Sequence, residues 1–510
     1  MRAARAALIL RWLPAFAGAA YVATVLALWH ELVTNNNWDT DAVAKLVIAE
    51  RLRGSGPVSI SHYGEWTTLW WMLATRWLPW HRDLWAATGY ACTLLAAGLL
   101  CWATWHVAGR WAGVTAAATA LVVGPFVLRS FLSTTGVHGP TPLGAVVLAA
   151  VLVLLARSAS WVAPVLGGLI AGANAASDPL LWVAGVGPFA VAAGLLFRAT
   201  QRRDVALRAV AALALALVTA AATNVVMRAL DFHVGSADLA VARLSELPGN
   251  LVHLGRMLAL FGGANYALLG PYPQEPLRLV VALLMCVAVA APVVAAVKLW
   301  RSGGLRHAYA AYWAMAVALL CLVFVATPNA TDLGPKSVNY LLTLAFAAGA
   351  GLGLLAAGSR RAEIAVAICV AAVAATNVYG ITNGRAEVTG VVALPQQKEQ
   401  ILRVLERTGA RRGYAGFWAA LNLTWQTDMR LLVAPVNNCG AKLCPNNFFT
   451  IRSWYDRRGG RTFLLVDATI PDIHAPQFAA NATETHRFGP ITLYVFDYDI
   501  AQQIRLLAPS

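Results

Sequence analysis

The chain has 510 residues, of which 59% are hydrophobic and only 12% are charged, and its formal net charge is +15. A soluble domain carries about 25% charged residues, and apolar runs of 18 or more residues recur here, so the composition excludes an ordinary soluble protein. The basic residues form short clusters between the apolar runs. This scatter argues against a nucleic-acid partner and favours topology signals and contacts with anionic lipid.

The apolar runs predict about eleven transmembrane helices, each long enough to cross a hydrocarbon core of roughly 30 Å. They lie at 8–32, 84–106, 112–130, 140–156, 161–177, 179–197, 207–227, 277–298, 308–327, 338–358 and 362–380. Arginine and lysine cluster before the first span and in every second loop, with Lys336 as the main exception. By the positive-inside rule the N-terminus is cytoplasmic, and an odd number of spans places the C-terminus outside. We expect a multi-pass protein of a bacterial inner membrane.

This map divides the chain into a transmembrane domain, 1–380, and an extracytoplasmic domain, 381–510. Two outer loops of the first domain are long, at 33–83 and 228–276. The inner loops are too short to hold a site, so any chemistry is expected on the outer side.

The C-terminal segment predicts a small α/β domain. Its pattern indicates a helix at 396–407 and strands at 430–434, 462–466 and 491–496. Cys439 and Cys444 are the only cysteine pair in a polar segment, and that segment is expected to face an oxidising compartment. We therefore expect a disulfide between them.

Two carboxylates, Asp39 and Asp41, follow the first span and precede an amphipathic helix predicted at 42–53. One interpretation is that both are helix-capping residues, because a helix N-terminus favours negative charge. The other is catalytic: one carboxylate deprotonates an acceptor hydroxyl, and the other binds the acceptor or a divalent cation such as Mg²⁺ or Mn²⁺, a role we assign to Asp41. The two interpretations are compatible, since a capping carboxylate can still face a cavity.

Five further positions are candidate substrate-binding residues. Tyr63 and Glu65 open a tryptophan-rich helix in the first loop, whose aromatic face suits an interfacial anchor or stacking on a sugar. Asp178 lies between two apolar segments, where a carboxylate is either functional or a helix cap. His138 is a turn residue or a ligand contact. Lys336 is an outer-facing cation that could pair with a lipid phosphate or simply lie at the surface.

Residues 1–110 resemble the start of a GT-C glycosyltransferase: a span, an outer acidic motif, two juxtamembrane helices and a return span. The matching motif is Trp38-Asp39-Thr40-Asp41. Protein O-mannosyltransferases, aminoarabinose transferases and oligosaccharyltransferase catalytic subunits share this plan and an extracytoplasmic C-terminal domain. The resemblance implies that Asp39 or Asp41 is the catalytic base or the acceptor-binding acid. The oligosaccharyltransferase type adds a second acidic motif in the next outer loop, whereas this chain has Ser133-Thr134-Thr135-Gly136-Val137-His138 there.

The resemblance also implies a function. It is that of an inverting hexosyl- or pentosyltransferase, which moves a sugar from a polyprenyl-phosphate donor to an extracytoplasmic glycan, lipid or protein. Two other classes stay open. A transporter or flippase of lipid-linked glycans predicts ionisable or broken helices at the bilayer midplane. A non-catalytic membrane assembly protein is the third class. The few charges inside the spans favour the enzyme.

Overall fold

The structure is a computed structural model. It describes residues 2–35, 43, 47, 58–60, 82–132, 138–229, 232–234, 241–264, 276–328, 334–382, 394–427, 429–440, 442–446, 450–468 and 473–504.

Residues up to 382 form mostly helices. They are α1 (Arg2–Ala27), α2 (Trp29–Asn35), β1 (Val58–Ile60), α3 (Arg82–Ala108), α4 (Arg110–Leu121), α5 (Pro125–Leu132), α6 (Thr141–Arg157), α7 (Val162–Ser177), a π-helical turn (Trp182–Val186), α8 (Gly187–Thr200), α9 (Arg203–Ala229), β2 (Phe232–Val234), α10 (Leu247–Phe261), α11 (Pro276–Leu299), α12 (Gly304–Ala326), a 3₁₀ segment (Gly334–Leu341), α13 (Thr343–Ala356) and α14 (Arg360–Thr382).

Among the described residues, seven helices are long and apolar enough to cross a membrane, or eight if the bent pair α4 and α5 is one span. Three shorter apolar helices, α6, α7 and the Leu283–Leu299 part of α11, lie where the remaining three predicted spans fall. Each predicted span therefore corresponds to an apolar helix or helix pair. The chain is a polytopic helical membrane protein, as the composition predicts.

The predicted span 112–130 is not one helix. It breaks after Leu121, and α5 is bent by 93° from α4. Pro125 has no N–H to continue α4. Gly124 allows α10 to approach the break, because its backbone N–H donates to the Phe261 carbonyl at 2.8 Å and a Cβ there would clash with the Leu260 oxygen. The Val123 carbonyl at the break accepts a hydrogen bond from Tyr21 at 2.8 Å. Tertiary contacts thus replace the missing helical hydrogen bonds.

Arginines gather at one end of the helix bundle, which we call the arginine end. Arg306 donates to the Val107 carbonyl at 3.0 Å, and Arg157 donates to the His106 carbonyl at 2.9 Å. Both carbonyls belong to the last turn of α3, where no intrahelical donor is available. The guanidinium of Arg208, which is almost fully buried, likewise bonds the Leu155 carbonyl at 3.3 Å. These cations therefore complement helix C-termini as well as marking one side of the membrane.

The C-terminal residues form an α/β unit. Its elements are α15 (Leu394–Thr408), β3 (Arg412–Ala415), α16 (Phe417–Gln426), β4 (Leu432–Cys439), β5 (Lys442–Pro445), β6 (Thr450–Ile451), β7 (Thr462–Asp467), β8 (Glu484–Phe488) and β9 (Ile491–Phe496). The sheet order is β5-β4-β3-β7-β9-β8, with β4, β3 and β7 parallel. Helix α15 and strands β4, β7 and β9 were predicted. The predicted disulfide Cys439–Cys444 is present and joins β4 to β5.

A second, three-stranded sheet joins three distant parts of the chain. Strand β1 pairs in parallel with β2 and antiparallel with β6. These strands come from the predicted loops 33–83 and 228–276 and from the C-terminal unit. The three pieces therefore lie on the same side of the membrane, at the end of the bundle opposite to the arginines. We call this the sheet end.

A mixed core connects the two parts of the protein at the sheet end. Val33 of α2 and Met227 of α9 are buried in one cluster with Tyr414 and Trp425 of the C-terminal unit. Val43 and Val47 belong to the same cluster and are fully buried. Both fall within the amphipathic helix predicted at 42–53. The C-terminal unit is therefore packed against the membrane helices through an apolar contact.

Candidate functional site

The site is built where α7 ends and α6 begins. Asp178 caps the C-terminus of α7 in an extended conformation and is fully buried. Its Oδ1 accepts the Leu180 backbone N–H at 3.0 Å, which holds the turn into the next helix. Its Oδ2 accepts the Thr141 hydroxyl and lies 3.0 Å from Nδ1 of His138. Two of the predicted site residues are thus in direct contact.

The surroundings of Asp178 favour its ionised form. Burial raises the pKa of this carboxyl, but the nearby His138 and the hydrogen bonds from His138, Thr141 and Leu180 together hold it below the ordinary value. A buried carboxylate that accepts several hydrogen bonds is stable as an anion. Nδ1 of His138 faces this carboxylate, and the tautomer with its proton on Nδ1 suits the contact.

A third element closes the site. The ring of Tyr340 packs on the ring of His138 with centroids 4.4 Å apart. Tyr340 belongs to the 3₁₀ segment Gly334–Leu341, which two more polar contacts fix. Ser337 lies 2.8 Å from Nε2 of His253 on α10, and Asn339 accepts the Ser130 hydroxyl of α5 at 2.5 Å. The 3₁₀ segment is therefore held by side chains from three separate elements.

The helix packing sets the depth of this site. Gly168 and Gly172 of α7 pack against the backbone of Ala212 and Ala216 of α9, so the two helices run in the same direction. Asp178 is then level with position 222, about 10 Å short of the end of α9 at 1.5 Å per residue. The carboxylate is recessed into the bundle from the sheet end.

The other predicted site residues have different outcomes. Lys336 lies in the 3₁₀ segment with Tyr340, although its side chain falls outside the described residues. Asp39, Asp41, Tyr63 and Glu65 also lie outside the described residues. Their roles stay predictions.

Two contributors to the site had a weak signal in the sequence. Thr141 begins α6 after a proline and looks like an ordinary helix start. Tyr340 opens a predicted span and resembles an interfacial aromatic residue. Only the contacts of these two side chains with Asp178 and His138 reveal their place in the site.

The described residues do not supply a complete metal site. They contain no group of three or more His, Cys, Asp and Glu side chains that could hold an ion. His138 and Asp178 give two donors, and they bond to each other. The predicted cation at Asp41 depends on residues outside this part of the chain and stays a prediction.

Comparison with known proteins shows which solved structures share this fold. No family model matches the sequence, and no curated protein matches it. Among solved structures, ArnT from Cupriavidus metallidurans in the apo state is 11% identical, with a TM-score of 0.55 over 96% of this chain and 99% of that one. The same protein bound to undecaprenyl phosphate is 12% identical, with a TM-score of 0.55 over 94% and 97%.

An archaeal protein shows the same likeness. The oligosaccharyltransferase of Archaeoglobus fulgidus in complex with Zn and sulfate is 12% identical, with a TM-score of 0.51 over 89% of this chain and 68% of that one. In another structure of that protein, tethered to an acceptor peptide, this chain spans 63% of its length.

These identities establish shared architecture and no more. The near-complete two-way coverage with ArnT includes both the helix bundle and the C-terminal unit. The chain therefore has an ArnT-like fold, and the expected polytopic helical domain with a small C-terminal α/β unit is confirmed.

Proposed function

We propose that the chain is an integral membrane glycosyltransferase that moves a sugar from a polyprenyl-phosphate donor to an extracytoplasmic acceptor with inversion. The observation that supports this most is the recessed polar site at the sheet end, in a fold shared with a protein solved with undecaprenyl phosphate bound. The sugar is a hexose or pentose, and the acceptor is a cell-envelope glycan, a lipid or a protein.

The proposed reaction is a single displacement. An acceptor hydroxyl oxygen attacks the anomeric carbon, and the bond from that carbon to the phosphate oxygen breaks. Polyprenyl phosphate leaves with the bonding electron pair, and Asp39 or Asp41 takes the hydroxyl proton as general base. Inversion follows because attack and departure occur on opposite faces of the ring.

The described residues suit the phosphate side of this reaction. His138, held by Asp178, places an imidazole in the recessed site, and charge-assisted hydrogen bonds from such a group to phosphate are strong. Lys336 adds a cation from the adjoining 3₁₀ segment. Donors fixed before the reaction stabilise the charge that develops on the leaving group without reorganising. We assign Tyr63 and Glu65 to substrate binding in the first loop.

The proposal includes an orientation. The arginine end faces the cytoplasm of a bacterial inner membrane, and the N-terminus lies there, as the positive-inside rule predicts. The sheet end and the C-terminal unit then face the periplasm.

A transporter of lipid-linked glycans is the second candidate, and the broken span supports it. Transporters use discontinuous helices, and α4 and α5 form a broken pair. In the enzyme hypothesis the break serves to place Ser130 of α5 against Asn339.

One assay separates the two functions. The full chain is reconstituted in proteoliposomes with polyprenyl-phosphate sugars carrying a labelled sugar, together with a cell-envelope extract as acceptor. Release of polyprenyl phosphate with labelled product supports the enzyme. Movement of intact donor across the bilayer without cleavage supports the transporter and overturns the enzyme.

A further inference from the structure

Helix α10 and the turn before it carry an apolar face that no described residue covers. Val241 and Leu244 in the turn are 77% and 85% exposed, and Leu251 and Val252 on α10 are 60% and 58% exposed. The other face of α10, which includes His253, is buried. On a membrane protein, an exposed apolar face of this kind suits contact with lipid.

The position of α10 is fixed by the end of α12. The Ala242 backbone N–H donates to the Ala326 carbonyl at 2.8 Å, and the Asn250 side chain donates to the Val325 carbonyl at 2.9 Å. Helix α12 starts at the arginine end beside Arg306 and rises about 34 Å, enough to cross a hydrocarbon core of about 30 Å. Its last carbonyls therefore lie at the membrane interface, and the exposed face of α10 lies at the same level.

Two cations flank this apolar face. Arg243 precedes Leu244, and Arg256 follows one turn after Val252. Both residues are exposed. The exposed carboxylate of Glu246 accepts the Arg243 backbone N–H at 3.0 Å, so the two arginines and this one acid leave the surface with a net positive charge. This surface combines aliphatic side chains with arginines and lies at the level where α12 ends. Such a surface suits the headgroup layer of a membrane, because the apolar groups can enter the acyl boundary while the cations contact phosphates.

We propose that this face binds anionic phospholipid in the leaflet at the sheet end, with Arg243 and Arg256 contacting the lipid phosphates. We choose lipid as the ligand because the end of α12 places this surface at the membrane interface, where phospholipid surrounds it. The proposal rests on the membrane position of α10 and does not depend on sugar transfer.

The buried side of α10 connects this lipid contact to the site. His253 lies on that side and contacts Ser337, while Tyr340 of the same 3₁₀ segment packs on His138. Lipid bound on one face of α10 thus stabilises the helix that positions the 3₁₀ segment through its other face.

Photo-crosslinking in nanodiscs of phosphatidylcholine and phosphatidylglycerol tests the occupant. The full chain carries Leu251→benzoylphenylalanine, and a matched control carries Thr485→benzoylphenylalanine on β8, also at an exposed position. Mass spectrometry should find lipid adducts at 251 and none at 485. Crosslinks at 251 to a second copy of the chain, or the absence of lipid adducts there, would overturn the proposal.

The charge requirement is tested in the same discs. Each basic residue near an anionic surface changes affinity about fivefold, so Arg243→Gln with Arg256→Gln should lower the preference for phosphatidylglycerol adducts about 25-fold. Arg403→Gln with Arg487→Gln makes the same charge change on the C-terminal unit and should leave the preference unchanged. An unchanged preference in the first pair would contradict the role of the two arginines. Neither outcome requires activity.

Discussion

Nδ1 of His138 lies 3.0 Å from Oδ2 of Asp178, although 40 residues separate the two positions in the chain. The contact joins the start of α6 to the end of α7 and is almost completely closed to solvent. A buried carboxylate costs free energy unless it is paired and hydrogen-bonded, and here it is both. The pair therefore fixes the loop ends that carry the site.

We predict that Asp178 and His138 act as a unit. Asp178→Ala should lower the thermal stability of the chain in detergent, because it leaves His138 and Thr141 without their acceptor. His138→Ala should do the same, and the double variant should cost less than the sum of the two. A double-mutant cycle should give a coupling free energy of about 0.5–3 kcal/mol. Additive effects would show that the contact contributes nothing to stability.

The same carboxylate predicts a pH dependence. The pKa of Asp178 in the folded protein is below the ordinary value of 3.8, so its contribution to stability is present above that value and is lost as pH falls through the lower folded pKa. The melting temperature of wild type minus that of Asp178→Asn should therefore shrink in strongly acidic buffer. Asp497→Asn, at an exposed position, is the control. A difference in melting temperature that grows as the pH falls would contradict the lowered pKa of Asp178.

The three-stranded sheet predicts a specific cross-link. Ser59 of β1 lies opposite Thr450 of β6, at a spacing that suits a disulfide. Ser59→Cys with Thr450→Cys should therefore oxidise to join the first loop to the C-terminal unit, as peptide mapping would detect. Ser59→Cys with Ile451→Cys is the matched control, because adjacent strand residues point to opposite faces. Equal cross-linking of both pairs would show that this register is not fixed.

The native disulfide predicts a modest stabilisation. Cys439 and Cys444 are five positions apart, so the closed loop is short and its chain-entropy contribution is about 2 kcal/mol. Cys439→Ser with Cys444→Ser should lower the stability of the C-terminal unit by that amount. The mass of the wild-type chain, measured without reductant, should be lower by two hydrogens than the mass of the reduced chain. Finding both thiols free would rule the bridge out.

Sequence patterns predict those helices and strands of this fold whose formation depends on the composition of their own segment. Hydropathy gives the apolar helices because membrane insertion depends on the composition of each run. The pattern of short apolar runs bounded by turn residues gives β7 and β9, because both strands supply buried side chains to the core of the C-terminal unit. It does not predict β1, β2 and β6, which are two or three residues long and form only when three distant segments meet.

The break at Gly124 shows a second limit. The run 112–130 carries Gly124-Pro125 as a local signal for a break, but the direction of the bend depends on α10, whose Phe261 and Leu260 carbonyls approach Gly124. The site shows the same limit, since His138 and Asp178 are each noticeable in the sequence. Their pairing, and the addition of Thr141 and Tyr340, depends on how α6, α7 and the 3₁₀ segment pack. Candidate functional residues can be identified from the sequence, but the side chains that they contact depend on the tertiary structure.

The most direct test of the proposed enzyme is sugar transfer by the first-loop carboxylate variants. Asn caps a helix as well as Asp does, so Asp39→Asn and Asp41→Asn should leave expression and thermal stability nearly unchanged. A general base contributes about 10²–10⁴ in rate, so at least one variant should lose transfer from a polyprenyl-phosphate sugar by that factor. If both variants transfer at the wild-type rate, the two acids are only helix caps and the proposed mechanism is wrong.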